Sequence, residues 1–217
     1  MNFEDARVNM IERQMRPWEV TDPGVCRLLT TVRREDFVPS AARELAFADV
    51  AIPLACGQAM LRPALEGRVL QALRIAYAGS VLEVGTGSGY FAALLAKRAK
   101  RVYSVEIEPQ LAEQARNNLA RAGADNVVVE EGDGAQGWFP QTPYDVIVVS
   151  GGLPELPEGL LAQIKPGGRL FAFVGAAPTM KACLVTRMDK KHLLRQDLFE
   201  TVVPLLQQSS HSSTFLF

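Results

Sequence analysis

The spacing of hydrophobic residues along the chain changes near residue 80. Before that point, apolar residues recur at three- to four-residue intervals over residues 3–16, which is the spacing of an amphipathic helix. Pro17 ends this pattern, and Asp22 followed by Pro23 is a typical start for a second helix. Further helices are predicted over residues 40–47 and 63–75. Residues 1–79 are therefore predicted to form a helical N-terminal extension.

From Ser80 onward, short apolar runs alternate with helical segments. Each run is short and mainly apolar, as a strand buried on both faces requires. The predicted strands are 81–84, 102–105, 127–129, 144–149 and 169–174, and the predicted helices are 90–99, 109–122 and 160–164. This alternation predicts an α/β fold with a parallel sheet and helices on both faces.

Residues 176–217 have a different pattern. Two strand-like segments, 182–188 and 198–206, are separated by charged residues and leave no helix of ten residues. We expect an antiparallel pair that completes a seven-stranded sheet. The last ten residues are expected to fray or to pack through Phe215 and Phe217. The chain is predicted to be a single domain, 1–217, with residues 80–175 as its α/β core.

Composition and charge narrow the possible functions. The chain has 217 residues, of which 48% are hydrophobic and 22% charged, and its net charge of -1 supplies no field that attracts nucleic acid. Its three cysteines are far apart and form no CxxC pair, so that neither a disulfide framework nor a metal site is expected. Because no apolar run resembles a signal peptide or a membrane span, we expect a cytoplasmic protein with no membrane partner.

Three predicted strands end in residues suited to one ligand. The first strand is followed by the glycines of a GxGxG sequence at 85–89, which let the backbone approach a ligand closely and differ from the GxGxxG of dinucleotide-binding enzymes. The second strand ends in Glu106, whose carboxylate can accept hydrogen bonds from both hydroxyls of an adenosine ribose. The third is followed by Asp133, which can accept from an adenine amino group.

Each of these features alone is a weak indication, because glycine turns, solvated strand-end carboxylates and Gly-Asp-Gly turns are common. Their occurrence at three consecutive strand ends predicts S-adenosylmethionine as the cofactor, since ligands of open α/β sheets bind at the carboxyl ends of the strands. The predicted cofactor-binding residues are Glu83, Gly85, Thr86, Gly87, Ser88, Gly89, Tyr90, Glu106, Ile107, Gly132, Asp133, Gly134 and Ala135.

Several segments resemble the protein-L-isoaspartate O-methyltransferase family. Residues 81–96 (VLEVGTGSGYFAALLA) are similar to its first cofactor motif, and residues 132–138 (GDGAQGW), 143–149 (PYDVIVV) and 161–170 (LAQIKPGGRL) resemble its later motifs in the same order. Upstream, residues 34–39 (REDFVP) are also similar, and the resemblance runs from about residue 10 to 205. It implies a Rossmann-like methyltransferase fold and methyl transfer to the α-carboxylate of isoaspartyl residues in damaged protein.

The sequence departs from the family pattern in two places. After Gln58 the family continues Thr-Ile-Ser, and its Ser is associated with the active site, whereas this chain has Leu61 at the Ser position. Gln58 and Arg62 are the substrate-side candidates, and Arg62 could hold a carboxylate or be an exposed charge. The second departure is Ser150-Gly151-Gly152, where the family usually has small apolar residues.

The acceptor and the catalytic residues stay open at this point. An isoaspartyl α-carboxylate has a pKa near roughly 3.5 and is ionised at neutral pH, so its methylation needs no base, which agrees with the lack of a histidine that can be assigned to the site. The alternatives are a small-molecule acceptor in a pocket made apolar by Met60 and Leu61, and a non-catalytic module that binds S-adenosylmethionine.

Overall fold

The computed structural model describes residues 2–75 and 77–207. The predicted packing of Phe215 and Phe217 and the position of His211 lie outside the described residues. The helices are α1 (Phe3–Met10), α2 (Pro23–Thr31), α3 (Pro63–Leu73), α4 (Tyr90–Ala96), α5 (Pro109–Arg121) and α6 (Glu158–Ala162). The strands are β1 (Ile52–Pro53), β2 (Ala59–Met60), β3 (Ala78–Val84), β4 (Ala99–Glu106), β5 (Val127–Glu131), β6 (Tyr144–Leu153), β7 (Ile164–Ala176), β8 (Thr179–Arg187) and β9 (Leu193–Thr201).

Seven strands form one sheet in the order β5-β4-β3-β6-β7-β8-β9. The first five are parallel to one another, β8 pairs antiparallel with β7, and β9 pairs antiparallel with β8. After β3 the chain builds the sheet outward through β4 and β5, and then returns to place β6 on the other side of β3. The predicted α/β fold with an antiparallel C-terminal pair is confirmed, and the strand order reverses between β3 and β6.

Both faces of the sheet are buried at its central strands, as the mainly apolar runs predict. Val81, Val102 and Val146 face one side, where they share a hydrophobic core with the N-terminal segment and with α3, α4 and α5. Leu82 and Ile147 face the other side and pack with Leu160 of α6. The N-terminal extension therefore packs against the sheet face that carries Val81, Val102 and Val146, and shares one hydrophobic core with it. In the described part of the chain, no helix has both the length and the apolar character to cross a bilayer.

Several element bounds differ from the predicted ones. Helix α4 ends at Ala96, three residues before the predicted end, because Ala99 already pairs with Ala78 in the sheet. Strand β7 begins at Ile164, which pairs with Tyr144, so the predicted helix 160–164 lies instead at Glu158–Ala162. The predicted helix 3–16 is α-helical only to Met10 and continues as a π-helical turn over Ile11–Met15.

The last predicted strand, 198–206, is displaced. The Asp189 carboxylate accepts hydrogen bonds from the backbone N–H groups of Lys191 and His192 and closes a tight turn, so β9 begins directly afterwards at Leu193 and ends at Thr201. The chain then crosses to the end of β6. There the Gly152 N–H donates to the Pro204 carbonyl at 2.8 Å, and the Leu206 N–H donates to the Gly152 carbonyl at 2.9 Å.

Within the N-terminal extension, a buried ion pair joins the segment at residues 34–39 to α3. The Arg34 guanidinium, 1% exposed, pairs with Glu66 and donates to the Leu61 carbonyl at 2.7 Å. It also lies over the ring of Tyr90, 4.9 Å from the centroid. A buried charge needs such partners, because its desolvation is otherwise uncompensated. Arg34 therefore fixes three segments relative to one another: α3, the start of α4 and the backbone at Leu61.

We expect Arg34→Met to destabilise the protein by about 3–5 kcal/mol, because the substitution leaves Glu66 buried without its partner. Urea denaturation followed by circular dichroism measures the change. The matched control is Arg16→Ala, which breaks an exposed ion pair of 2.9 Å with Glu12 and should cost at most about 1 kcal/mol. Equal losses from the two substitutions would show that the Arg34–Glu66 pair does not hold the fold together.

Candidate active site

The candidate site lies at the carboxyl ends of β3, β4, β5 and β6, where the strand order reverses. A cavity at this edge is lined by ten of the residues that the sequence singles out: Gln58, Leu61, Gly85, Gly87, Glu106, Ile107, Gly132, Asp133, Gly134 and Ala135. This position is expected, since the crevice beside a reversal of strand order is the usual ligand site of an open α/β sheet. The cavity extends from Asp133 after β5, past Glu106, to the glycine loop after β3.

The glycine loop is held in a conformation that side chains disfavour. Gly85, Gly87 and Gly89 have φ angles of +92°, +53° and +83°, in the left-handed region that glycine adopts without strain. Gly85 and Gly87 line the cavity. Gly89 does not line it, and a Cβ there would lie 3.2–3.3 Å from atoms of Leu119 and Ala115. Its role in the structure is therefore to let α4 begin close against α5.

Glu106 lies between two loops at the end of β4 and is 5% exposed. Its Oε2 accepts a hydrogen bond from the Gly87 N–H at 2.8 Å, and its Oε1 accepts from the Glu108 N–H at 3.1 Å. Each carboxylate oxygen has a second lone pair, so both can still accept from a ligand hydroxyl. The geometry thus fixes the orientation of a carboxylate in the wall of the cavity, between the glycine loop and the start of α5.

The Gly132–Ala135 turn closes the other end of the cavity. Asp133 Oδ1 accepts a hydrogen bond from the Ala135 N–H at 2.9 Å. Gly134 lies against the ends of β3 and β4, where a Cβ would come within 3.1–3.3 Å of Val84 and Val105. The apolar walls, the closely approaching glycine backbone and the two carboxylates fit an elongated adenosine derivative such as S-adenosylmethionine.

A second, smaller cavity adjoins the first on the side of α4. The two share Ala59, Leu61, Gly85, Gly87 and Ser150 in their walls. The remaining predicted residues, Glu83, Thr86, Ser88 and Tyr90, line this second cavity. They lie on the other side of the glycine loop from Asp133.

A chain of buried hydroxyl and carboxyl groups forms part of this second cavity. The hydroxyls of Thr86 and Ser104 are 2.6 Å apart, and the Ser104 hydroxyl donates to Glu83 Oε2 at 2.6 Å. The Ser150 hydroxyl lies within hydrogen-bond distance of Glu83 Oε1, at 3.0 Å. The pKa of Glu83 is raised to about 8, chiefly by burial; the hydrogen bonds with the Ser104 and Ser150 hydroxyls oppose the rise, and the nearby carboxyls of Glu106 and Glu66 add to it. Glu83 is therefore mostly protonated at neutral pH.

The two substrate-side candidates lie in different surroundings. Gln58 and Leu61 line the first cavity, and Leu61 also lines the second. Arg62 is not among the described residues that line either cavity. Its guanidinium lies over the ring of Trp18, 5.0 Å from the centroid, and 3.8 Å from an Asp49 carboxylate oxygen. The structure thus gives Arg62 two partners outside the cavities, and it leaves Gln58 as the nearer of the two candidates.

Sequence reasoning missed the part of the wall that the C-terminal segment provides. Leu206 packs over Gly85 and Gly151, where added Cβ atoms would come within 2.9 and 2.7 Å of its Cδ2. Pro204 and Gln207 also line the cavity, and Gln207 Nε2 donates to the Cys56 carbonyl at 3.2 Å. The only indication in the sequence is the glycine pair after Ser150, because those glycines give Leu206 its space.

Comparison with known proteins identifies the family. The family model for protein-L-isoaspartate(D-aspartate) O-methyltransferase matches residues 6–210. A protein-L-isoaspartate O-methyltransferase of Brucella anthropi is 37% identical over 198 residues, which are 91% of this chain and 91% of that protein. The chain belongs to this family. The predicted family, the enzyme class and the S-adenosylmethionine cofactor are confirmed.

Solved structures agree with the family assignment. A protein-L-isoaspartate O-methyltransferase structure superposes with a TM-score of 0.80 at 25% identity, over 93% of this chain and 66% of that one. A Plasmodium falciparum protein, solved in complex with S-adenosyl-L-homocysteine, has a TM-score of 0.79 at 19% identity, over 96% of this chain and all of that one. The second likeness shows the fold alone. The predicted activity, carboxyl methylation of isoaspartyl residues, is the one for which the family is named.

We expect Glu106→Ala to weaken S-adenosylmethionine binding by about 10-fold or more, since two hydrogen bonds to a charged group are lost. Isothermal titration calorimetry measures the dissociation constant. The matched control is Glu131→Ala, because Glu131 ends the neighbouring strand, is paired with Glu106 in register and bonds to the exposed Arg116. An unchanged dissociation constant in the Glu106 variant would remove Glu106 from the binding site.

Proposed function

We propose that this enzyme methylates the α-carboxylate of L-isoaspartyl residues in damaged protein, with the cofactor in the first cavity and the acceptor where the two cavities meet. The observation that carries the proposal is the continuity of the two cavities at Gly85 and Gly87. A cofactor that extends from Asp133 along Glu106 to the glycine loop would present its reactive end at this junction. The acceptor has to reach the same junction.

The residues that support the cofactor position have distinct chemical roles. Glu106 is suited to accept hydrogen bonds from the ribose hydroxyls, and Asp133 to accept one from the adenine amino group. Gly85 and Gly87 allow the backbone to approach the methionine end closely. Ile107 and Ala135 supply apolar wall beside the adenosine. These assignments extend the family-level function to particular residues of this chain.

When bound, S-adenosylmethionine supplies a methyl group that its sulfonium already activates. The acceptor carboxylate is ionised at neutral pH and needs no deprotonation, so the protein has mainly to align it. His192 lies in the turn between β8 and β9, where Nδ1 is 2.8 Å from an Asp189 carboxylate oxygen, and it lines neither cavity. The described walls of the junction contribute orientation and exclusion of water rather than an imidazole base.

The walls around the junction are mostly apolar. Leu61 and Leu206 provide aliphatic surface, and Ala59 a methyl group. The Leu61 backbone is held from behind by Arg34, whose guanidinium donates to its carbonyl. An apolar wall that excludes water strengthens the electrostatic attraction between an ionised acceptor and a cationic methyl donor.

The cytoplasmic location stays a prediction from the sequence.

We expect the enzyme to transfer radiolabelled methyl from S-adenosylmethionine to a peptide that contains L-isoaspartate, and not to the matched aspartyl peptide. In the isoaspartyl peptide the chain continues through the β-carboxyl group and leaves the α-carboxylate free, whereas in the aspartyl peptide only the β-carboxylate is free. Comparing the two peptides therefore tests recognition of the free α-carboxylate. Filter binding of the labelled peptide measures the transfer, and calorimetric cofactor binding confirms that the protein is folded. Cofactor binding with neither peptide labelled would refute isoaspartyl activity and favour a small-molecule acceptor or a non-catalytic binding role.

A further inference from the structure

Ser150 places a hydroxyl group at the junction of the two cavities. It follows Val149 in β6, is half-buried and lines both cavities together with Leu61 and Ala59. Its hydroxyl is 3.0 Å from Glu83 Oε1. The other side chains at the junction that both cavities share are apolar or absent, so Ser150 is the polar side chain in that shared wall.

The hydrogen bonds around Glu83 determine which way the Ser150 hydroxyl points. Each hydroxyl has one hydrogen to donate. Because Ser104 lies 2.6 Å from both Thr86 and Glu83 Oε2, its hydrogen goes to the carboxyl, and the Thr86 hydrogen goes to Ser104. An ionised Glu83 is acceptor-only, so it takes the Ser150 hydrogen as well. Only the lone pairs of Ser150 then face the cavity, and they repel a carboxylate.

Protonation of Glu83 reverses this arrangement. A proton on Oε1 makes that oxygen the donor to the Ser150 oxygen, while Oε2 continues to accept from Ser104. The hydrogen of Ser150 is then free to point into the cavity. A hydroxyl that donates into an apolar, water-poor site is suited to hold one oxygen of a carboxylate ligand.

We propose that Ser150 donates a hydrogen bond to the carboxylate of the methyl acceptor, and that protonated Glu83 is the positioning residue that turns the Ser150 hydroxyl toward it. The proposal rests on the function proposed above and names a substrate-binding group of that same site. It also gives a role to the departure from the family at position 150.

The charged side chains around Glu83 all favour its protonated form or are neutralised by partners. Glu106 faces it from the end of β4, and Glu66 faces it from α3, where it is bound to Arg34. Tyr90 of α4 is a neutral phenol, because burial raises its pKa far above the neutral range. Burial raises the pKa of Glu83 to about 8. As pH rises through that value, Glu83 ionises and the acceptor site weakens.

The test measures KM for a peptide with L-isoaspartate, blocked termini and no other titrating group, at pH 7 and pH 9.5. The rate is followed by the formation of S-adenosylhomocysteine, which does not depend on the lifetime of the methyl ester. We expect KM to rise by about 10- to 30-fold over this range, because the competent protonated fraction falls by that factor. We expect kcat to change much less, since the lost interaction is one of acceptor binding.

Three variants separate the proposed roles from a merely structural one. Ser150→Ala should raise KM at pH 7 to about the wild-type value at pH 9.5, with the cofactor dissociation constant unchanged. Glu83→Gln should make KM independent of pH, because its amide donates to Ser150 and accepts from Ser104 at every pH. Ser104→Ala should move the rise in KM to higher pH, because it removes a hydrogen bond that stabilises the ionised carboxyl.

Proton uptake provides a readout that does not depend on turnover. Binding of the same peptide to the enzyme with S-adenosylhomocysteine, measured by calorimetry at pH 8 in buffers of different ionisation enthalpy, should take up roughly half a proton. Ser150→Ala should reduce this uptake, because Glu83 then no longer gains an interaction with the acceptor through the hydroxyl.

The outcomes distinguish this inference from the proposed function. A wild-type enzyme that does not methylate the isoaspartyl peptide at pH 7 overturns both. Methylation with a KM that is constant from pH 7 to 9.5, or a Ser150→Ala variant with wild-type KM at pH 7, overturns the inference and leaves the function standing.

Discussion

Strand β3 is hydrogen-bonded on both sides, to β4 and to β6, and the position of the site follows from this double pairing. Because the chain leaves β3 toward one edge of the sheet and later returns to its other side, the loops after β3 and β6 diverge and open a crevice between them. The glycine loop, Glu106 and Ser150 all lie at that crevice. A change in the pairing of β3 would separate them, so the arrangement of these residues depends on sheet register more than on any single side chain.

Buried ionisable side chains connect the scaffold to this crevice. Arg34 is bound to Glu66 and to the Leu61 carbonyl, and Glu83 is bound to two serine hydroxyls a short distance away. Each group is costly to bury unless its partners are present. This desolvation cost favours a single arrangement of the segments, because a shift of α3 or of the Leu61 backbone would leave the Arg34 guanidinium without a partner. The REDFVP segment thus acts on the site through the backbone it holds.

The two departures from the family pattern lie in one place in space. Leu61 and Ser150 share the walls of both cavities, although they are 89 positions apart in the sequence. Gly151 belongs to the same arrangement, because its missing side chain admits Leu206 over the glycine loop. A hydroxyl absent at position 61 is accompanied by one at position 150, in the lining of the same two cavities. Both departures therefore belong to the wall that the two cavities share.

The sequence by itself determined the α/β fold, the family, the cofactor and the residues at the three strand ends. These follow from local signals, since apolar runs define buried strands and a glycine loop or carboxylate directly after a strand has to lie at its carboxyl end. The same local reasoning misplaced the strand predicted at 198–206. Only the tertiary structure decided that Leu206 covers the glycine loop, that Arg62 lies on Trp18 and that Ser150 bonds to Glu83. Those contacts join residues that are tens to more than a hundred positions apart, and they depend on burial and pairing that hydrophobic periodicity does not encode.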